Sequence, residues 1–200
     1  MKKIFFICFL CFAFSYNSNG QLSEGDMIID VNHALVGGKG VWSVIPDAEF
    51  TGPIALRFQY MNSEKFGVGF EANFSQRNIS GNGSYNDTVN QVVNSYNYTY
   101  EYSQTVVRFM IRTSWEFVNN DKFNMSWSNS IGYRSASNSF DATDDNGDVS
   151  DLEWDFGGSW PLAGRTALGL RYFITDNIGL NTEVGLSGGA YINFGASVKL

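Results

Sequence analysis

Eight segments of this 200-residue chain alternate apolar and polar side chains with a period of two, and that pattern excludes most of what a polypeptide can become. Successive side chains of a strand point to opposite faces, so each segment presents one apolar face and one polar face. The last strand is the clearest: Ile192, Phe194, Ala196, Val198 and Leu200 fall on one side, and Tyr191, Asn193, Gly195, Ser197 and Lys199 on the other. Before it, Ile178, Leu180, Thr182, Val184 and Leu186 oppose Asn181 and Glu183, and Leu168, Leu170, Tyr172 and Ile174 oppose Arg165 and Arg171. Phe123, Met125, Trp127, Ile131 and Tyr133 oppose a row of serines ending at Arg134, while Val107, Phe109, Ile111, Trp115 and Phe117 oppose Arg108, Arg112 and Glu116. Phe66, Val68, Phe70, Ala72 and Phe74 oppose Glu71; Ile54, Leu56, Phe58 and Tyr60 oppose Arg57; Ile29, Val31 and Leu35 oppose Asp30. No stretch after residue 20 has helical periodicity.

The connections alternate in length. Long ones are expected over residues 37 to 52, 77 to 95 and 136 to 160, tight ones over 62 to 65, 119 to 122 and 175 to 177, and Gly188 and Gly189 make the last turn. Short turns on one rim and long loops on the other mark a transmembrane barrel with both termini on the short-turn, periplasmic side. The expected fold is therefore all-β: a closed antiparallel up-and-down transmembrane β-barrel of about eight strands.

Alternation alone does not say which face meets lipid, but side-chain size does. Phe, Leu, Ile, Trp and Tyr crowd the apolar face, whereas the opposite face is mostly Gly, Ser and Asn with scattered charge, which suits a narrow lumen. Closure leaves no edge strand, as hydrocarbon demands. Aromatics near strand ends, Phe66, Phe117, Phe123, Tyr133 and Tyr172, match interfacial girdles. With these features the chain resembles the small eight-stranded outer-membrane β-barrel family, which includes OmpX and the membrane domain of OmpA, over residues 27 to 200. The resemblance implies that the terminal strand, from Tyr191 to Leu200, is read by the barrel-assembly machinery, although such strands usually end in Phe rather than Leu. It carries over no catalytic residue.

Lys2 and Lys3 precede an apolar run over residues 4 to 14 and a polar stretch up to Gly20, the layout of a cleaved signal peptide over residues 1 to 20. The run is too short to span a bilayer as a helix. Cys8 and Cys11 leave with it, so the barrel domain, 21 to 200, holds neither a disulfide nor a thiolate metal site. Removing the two lysines leaves 11 basic against 20 acidic residues, which argues against nucleic acid as a partner.

Four constellations carry candidate chemistry. The first is a lumen charge network of Asp30, Arg57, Glu71, Arg108, Arg112, Glu116, Arg134, Arg165, Arg171, Glu183 and Lys199. An eight-stranded barrel is filled by its own side chains, so structural pairing is expected rather than a charge-selective pore. The second is an acidic loop in which Asp144, Asn146, Gly147 and Glu153 match positions three, five, six and twelve of a calcium loop, with Asp148 beside them. Ala142 stands where the first ligand belongs, so a solvated acidic turn is expected. The third is His33, in the lipid-facing phase, where some lipid A deacylases place a catalytic His; no Ser and Glu can be set beside it. The fourth is Thr88, in an Asp87-Thr88-Val89 match to a short O-glycosylation pattern.

These readings favour a non-enzymatic outer-membrane barrel that needs no cofactor, sits in outer-membrane lipid and lipopolysaccharide, and presents extracellular loops to a protein or glycan, with Tyr, Asn and Ser enriched between Asn86 and Tyr102. The alternatives are a small-solute pore, a lipid A-modifying enzyme and a secreted lipocalin-like binder.

Overall fold

The computed structural model describes residues 22–36, 48–89, 92–144, 160–187 and 189–200. Its strands are β1 (Met27–Val36), β2 (Ala48–Ser63), β3 (Phe66–Val89), β4 (Val92–Asn119), β5 (Phe123–Asp144), β6 (Leu162–Phe173), β7 (Ile178–Ser187) and β8 (Ile192–Lys199). Each pairs antiparallel with its sequence neighbours, and β1 closes on β8 through pairs such as Ile28↔Lys199 and Val31↔Ala196. The fold is a closed eight-stranded up-and-down barrel.

The two faces settle its environment. Phe70, Phe109 and Ile111 are exposed by 62 to 64% on the outer wall, whereas Arg57 and Glu71 are 1% exposed inside. Leu56, Trp115, Trp127, Ile131, Leu168, Val184 and Phe194 extend the outer apolar belt around the barrel. In water such a wall would be a contiguous apolar patch far beyond what soluble proteins tolerate, while the guanidinium groups that water would solvate are sealed away. This is the inverted arrangement of a transmembrane barrel.

Tight connections join β2 to β3, β4 to β5 and β6 to β7 at one rim. In the last of them Thr175 Oγ1 accepts from the backbone N–H of Ile178 at 3.0 Å, a local side-chain contact that closes the turn. The opposite rim differs from the expected loops in one respect. Residues 77 to 89 and 92 to 95 continue β3 and β4 rather than forming a loop, β5 runs on through Asp144, and β2 begins at Ala48. A bilayer needs only about 9–11 residues per strand. At 24 and 28 residues, β3 and β4 overshoot it, and with β5 they rise as a three-stranded sheet. Among the described residues, β2 accompanies β3 only to Ala48↔Ile79, and β6 accompanies β5 only to Tyr133↔Leu162. Outside lipid neither face of this sheet has to be aliphatic, so the apolar alternation that marks the wall fades there.

Candidate functional site: the lumen and its mouth

Inward-facing residues of five strands meet at mid-height in a cluster of three arginines and two glutamates. Glu183 of β7 takes Arg57 Nη2 at 2.9 Å and Arg165 Nη2 at 3.3 Å on Oε2, and Arg112 Nη2 on Oε1. Glu71 of β3 faces the same three groups at longer range: Arg112 Nη1 at 3.3 Å, Arg57 Nε at 3.6 Å and Arg165 Nε at 3.9 Å. Asn73 Nδ2 and Ser130 Oγ also donate to Glu71, at 3.0 and 3.1 Å. Register dictates the meeting. Arg57 lies opposite Glu71, and Arg112 is one strand farther round, opposite Gly69.

The other charges divide differently. Arg171 Nη2 meets Asp30 at 2.9 Å, and Ser197 Oγ donates to the same carboxylate at 2.6 Å. Glu116 is buried but faces an amide, accepting from Gln59 Nε2 at 2.9 Å, not an arginine. Lys199 sits near the short-turn rim, 3.8 Å from Asp26. Arg108 and Arg134 are register partners at the other end of the lumen, outside the central cluster. Nearby Arg77, absent from the sequence list, stands above the apolar belt between outward Gln76 and Asn78. Burial pushes its guanidinium below the ordinary arginine range, the Tyr102 phenol opposes that shift, and Arg134 adds to it.

An apolar plug lies at the short-turn end. Leu22, Ile28, Met61 and Phe173 form a buried cluster inside the barrel. Leu22 precedes β1 and is pinned by Asn119, whose Oδ1 accepts from the Leu22 N–H at 3.1 Å and whose Nδ2 donates to the Leu22 carbonyl at 2.7 Å. Sequence reading passed over these residues, yet Ile28, Met61 and Phe173 break the polar inner row at the same end of three strands.

At the opposite end, the β3–β4–β5 sheet continues the lumen face with aromatic rings. Tyr100 stacks on Phe140 at 6.2 Å with planes 20° apart, and lies 6.3 Å from Tyr98. Gly81 and Gly83 face Tyr100 and Tyr98 across the ladder, and a Cβ at Gly81 would come within 2.6 Å of the Tyr100 hydroxyl. The missing side chains let the rings lie flat. Tyr102 Oη donates to Asn138 Oδ1 at 3.2 Å.

His33 is exposed on the outer face of β1, paired with Ile54 and Phe194, with no Ser or Glu beside it among its register partners. Thr88 pairs with Val93 near the tip of the β3–β4 hairpin, and Asp144 ends β5 opposite Tyr98. The side chains of both, and all of Asn146, Asp148 and Glu153, lie outside the described residues, as do residues 1 to 21.

No family model and no curated protein sequence matches this chain. Among solved structures, it is similar to the outer membrane protein OprG from Pseudomonas aeruginosa, at 13% identity and a TM-score of 0.48, over 91% of this chain and 99% of that one. The N-terminal β-barrel domain of Pseudomonas aeruginosa OprF aligns at 9% identity and 0.44, over 90% and 100%. Ail, the attachment invasion locus protein of Yersinia pestis, aligns at 10% and 0.36, over 88% and 99%. These are likenesses of fold alone; the chain's own closure, its apolar outer wall and its charged interior make it a small transmembrane β-barrel of the outer-membrane type.

Proposed function

We propose that this is a non-enzymatic bacterial outer-membrane protein, exported behind a signal peptide over residues 1 to 20, with a sealed barrel that holds a recognition surface above the membrane. The observation that carries the reading is the Tyr98, Tyr100, Tyr102 and Phe140 face on the projecting β3–β4–β5 sheet. Such rings combine large contact area with a polar tip and little side-chain entropy to lose, which suits contact with an extracellular protein or glycan. The charged layer at mid-height and the Leu22 plug support a wall without a continuous channel. The terminal strand serves as the assembly signal, and the aromatic-rich belt contacts lipid and lipopolysaccharide.

The test pairs binding with conductance. Cells displaying the wild-type chain are compared with a Tyr98→Ser, Tyr100→Ser double variant for adhesion to glycan-coated and matrix-protein-coated surfaces, and the purified barrel is inserted into planar bilayers. Adhesion that falls in the variant at equal surface levels, with no steady single-channel current, is the expected result. Equal adhesion by both, or steady selective currents, would overturn the proposal.

A further inference from the structure

The outer wall meets hydrocarbon, and hydrocarbon offers no hydrogen bond to a polar group set into it. Three polar side chains nevertheless stand in one row of the wall: Thr113 of β4, Asn129 of β5 and Thr166 of β6 are register partners. Asn129 lies between the girdle rings Phe123 and Tyr133 on the outer row of β5, at the depth of the acyl chains. Unlike a long Lys or Arg near a strand end, it has no stem with which to reach water.

The threonines find partners inside the chain. Thr113 Oγ1 donates to the Asn129 carbonyl at 3.4 Å, and Thr166 Oγ1 accepts from Trp127 Nε1 at 2.9 Å. Thr182, also outward, gives its hydroxyl hydrogen to the Asn193 carbonyl at 2.8 Å. The Asn129 side chain is exposed and, among the described residues, its amide neither donates nor accepts. An amide holds donors and an acceptor together, so only a group with both can meet it fully. An acyl chain has neither.

A second copy of the chain carries such a group in the right place. Barrels inserted the same way hold Asn129 at the same depth, so amide meets amide without any shift between the copies. A two-fold axis along the membrane normal then closes a reciprocal pair, Nδ2 of each donating to Oδ1 of the other. That axis sets β6 of one barrel against β4 of its partner. Gly164 is the next outward position after Thr166 toward the long-connection rim, and a Cβ there would meet nothing nearer than the Ser130 carbonyl at 3.9 Å. The wall is therefore bare where the partner's β4 approaches. Where burial of apolar surface gains nothing, membrane proteins associate through such pairings of close approach with a polar group.

We propose that the barrel forms a two-fold dimer in the membrane through a strip of the outer wall centred on Asn129, with Gly164 beside it. Mass action governs the pair, so excess lipid returns it to single barrels. The inference rests on the lipid-facing wall and is independent of the projecting aromatic face.

Sedimentation equilibrium of the folded barrel in density-matched phosphocholine micelles tests this. The wild-type chain should follow a monomer–dimer equilibrium, and Asn129→Leu should raise the dissociation constant by about tenfold or more. Heat-modifiable migration on a gel confirms that the variant is folded, and because the change also removes an unmet amide from hydrocarbon, a weakened barrel does not account for lost association. In vesicles, a short bis-maleimide should join copies through Ile131→Cys, the next outward position to Asn129 on β5, and not through Val31→Cys on β1, across the barrel. Residues 21 to 200 otherwise hold no cysteine. A wild-type chain that stays monomeric, an Asn129→Leu barrel that associates within about twofold of wild type, or equal cross-linking at the two positions would overturn the proposal.

Discussion

Replacing Glu183 by Gln should destabilise the barrel more than any other isosteric change in the lumen. Glu183 faces Arg57 at 2.9 Å, Arg165 at 3.3 Å and Arg112 through a further short contact, whereas Glu71 sees the same arginines at 3.3 to 3.9 Å. At an effective dielectric of about 20, a pair at 2.9 Å attracts by roughly 6 kcal/mol and one at 3.6 Å by roughly 5 kcal/mol before desolvation is subtracted. The net effect of breaking a buried pair is smaller, about 3–5 kcal/mol, because it is the uncompensated charge left behind that counts. Glu183→Gln leaves three guanidiniums facing one carboxylate. We expect a loss of about 3–5 kcal/mol for it and about 1 kcal/mol less for Glu71→Gln. Urea unfolding of barrels refolded into lipid vesicles, followed by tryptophan fluorescence and by heat-modifiable migration, measures both. An Arg112→Gln, Glu183→Gln double variant should recover part of the loss, with a coupling of about 0.5–3 kcal/mol. A Glu183→Gln barrel within about 0.5 kcal/mol of wild type, the range of an ordinary surface change, would refute the claim that this layer holds the interior together.

Three more outcomes follow from the same faces. Phe173→Ala should cost about 3–5 kcal/mol by opening a cavity in the apolar plug, yet raise no conductance, because the charged layer above remains closed; chemical unfolding and planar bilayers read the two effects separately. Asn129 faces outward between Trp127 and Ile131 and its amide has no partner among the described residues, so Asn129→Leu should stabilise the barrel in vesicles by about 1–3 kcal/mol in the same unfolding assay. Gly83→Val places side-chain atoms where the Tyr98 ring lies; near-ultraviolet circular dichroism should show altered tyrosine signals while the unfolding midpoint stays within that of the parent barrel's error.

What could be read from sequence, and what could not, divides at the membrane surface. Lipid demands an unbroken apolar outer row, so Phe66 to Phe74 and Ile178 to Leu186 state both strand and facing in their letters alone. Above the bilayer that demand lapses, and residues 77 to 95 read as a long loop, although just beyond them Tyr96, Tyr98, Tyr100 and Tyr102 repeat every second position. That tyrosine period was the available signal. Inside the lumen, phase placed the charges but not their partners. Whether Glu116 meets an arginine or Gln59 depends on barrel shear, which sets the height at which distant strands meet and leaves no trace in any one segment. The Leu22 plug was hidden for a related reason: four apolar residues from separate segments become neighbours only when the barrel closes.

Trp115 and Trp127 are register partners on the outer wall, both about half exposed, and they report directly on which face meets lipid. Single-tryptophan barrels retaining one or the other are reconstituted into vesicles whose acyl chains carry bromine, and into unlabelled vesicles titrated with aqueous acrylamide. Strong quenching by the brominated chains with little effect of acrylamide is the predicted result. Quenching by acrylamide without effect from the bromines would mean that these rings do not face hydrocarbon, and the inverted barrel would be contradicted.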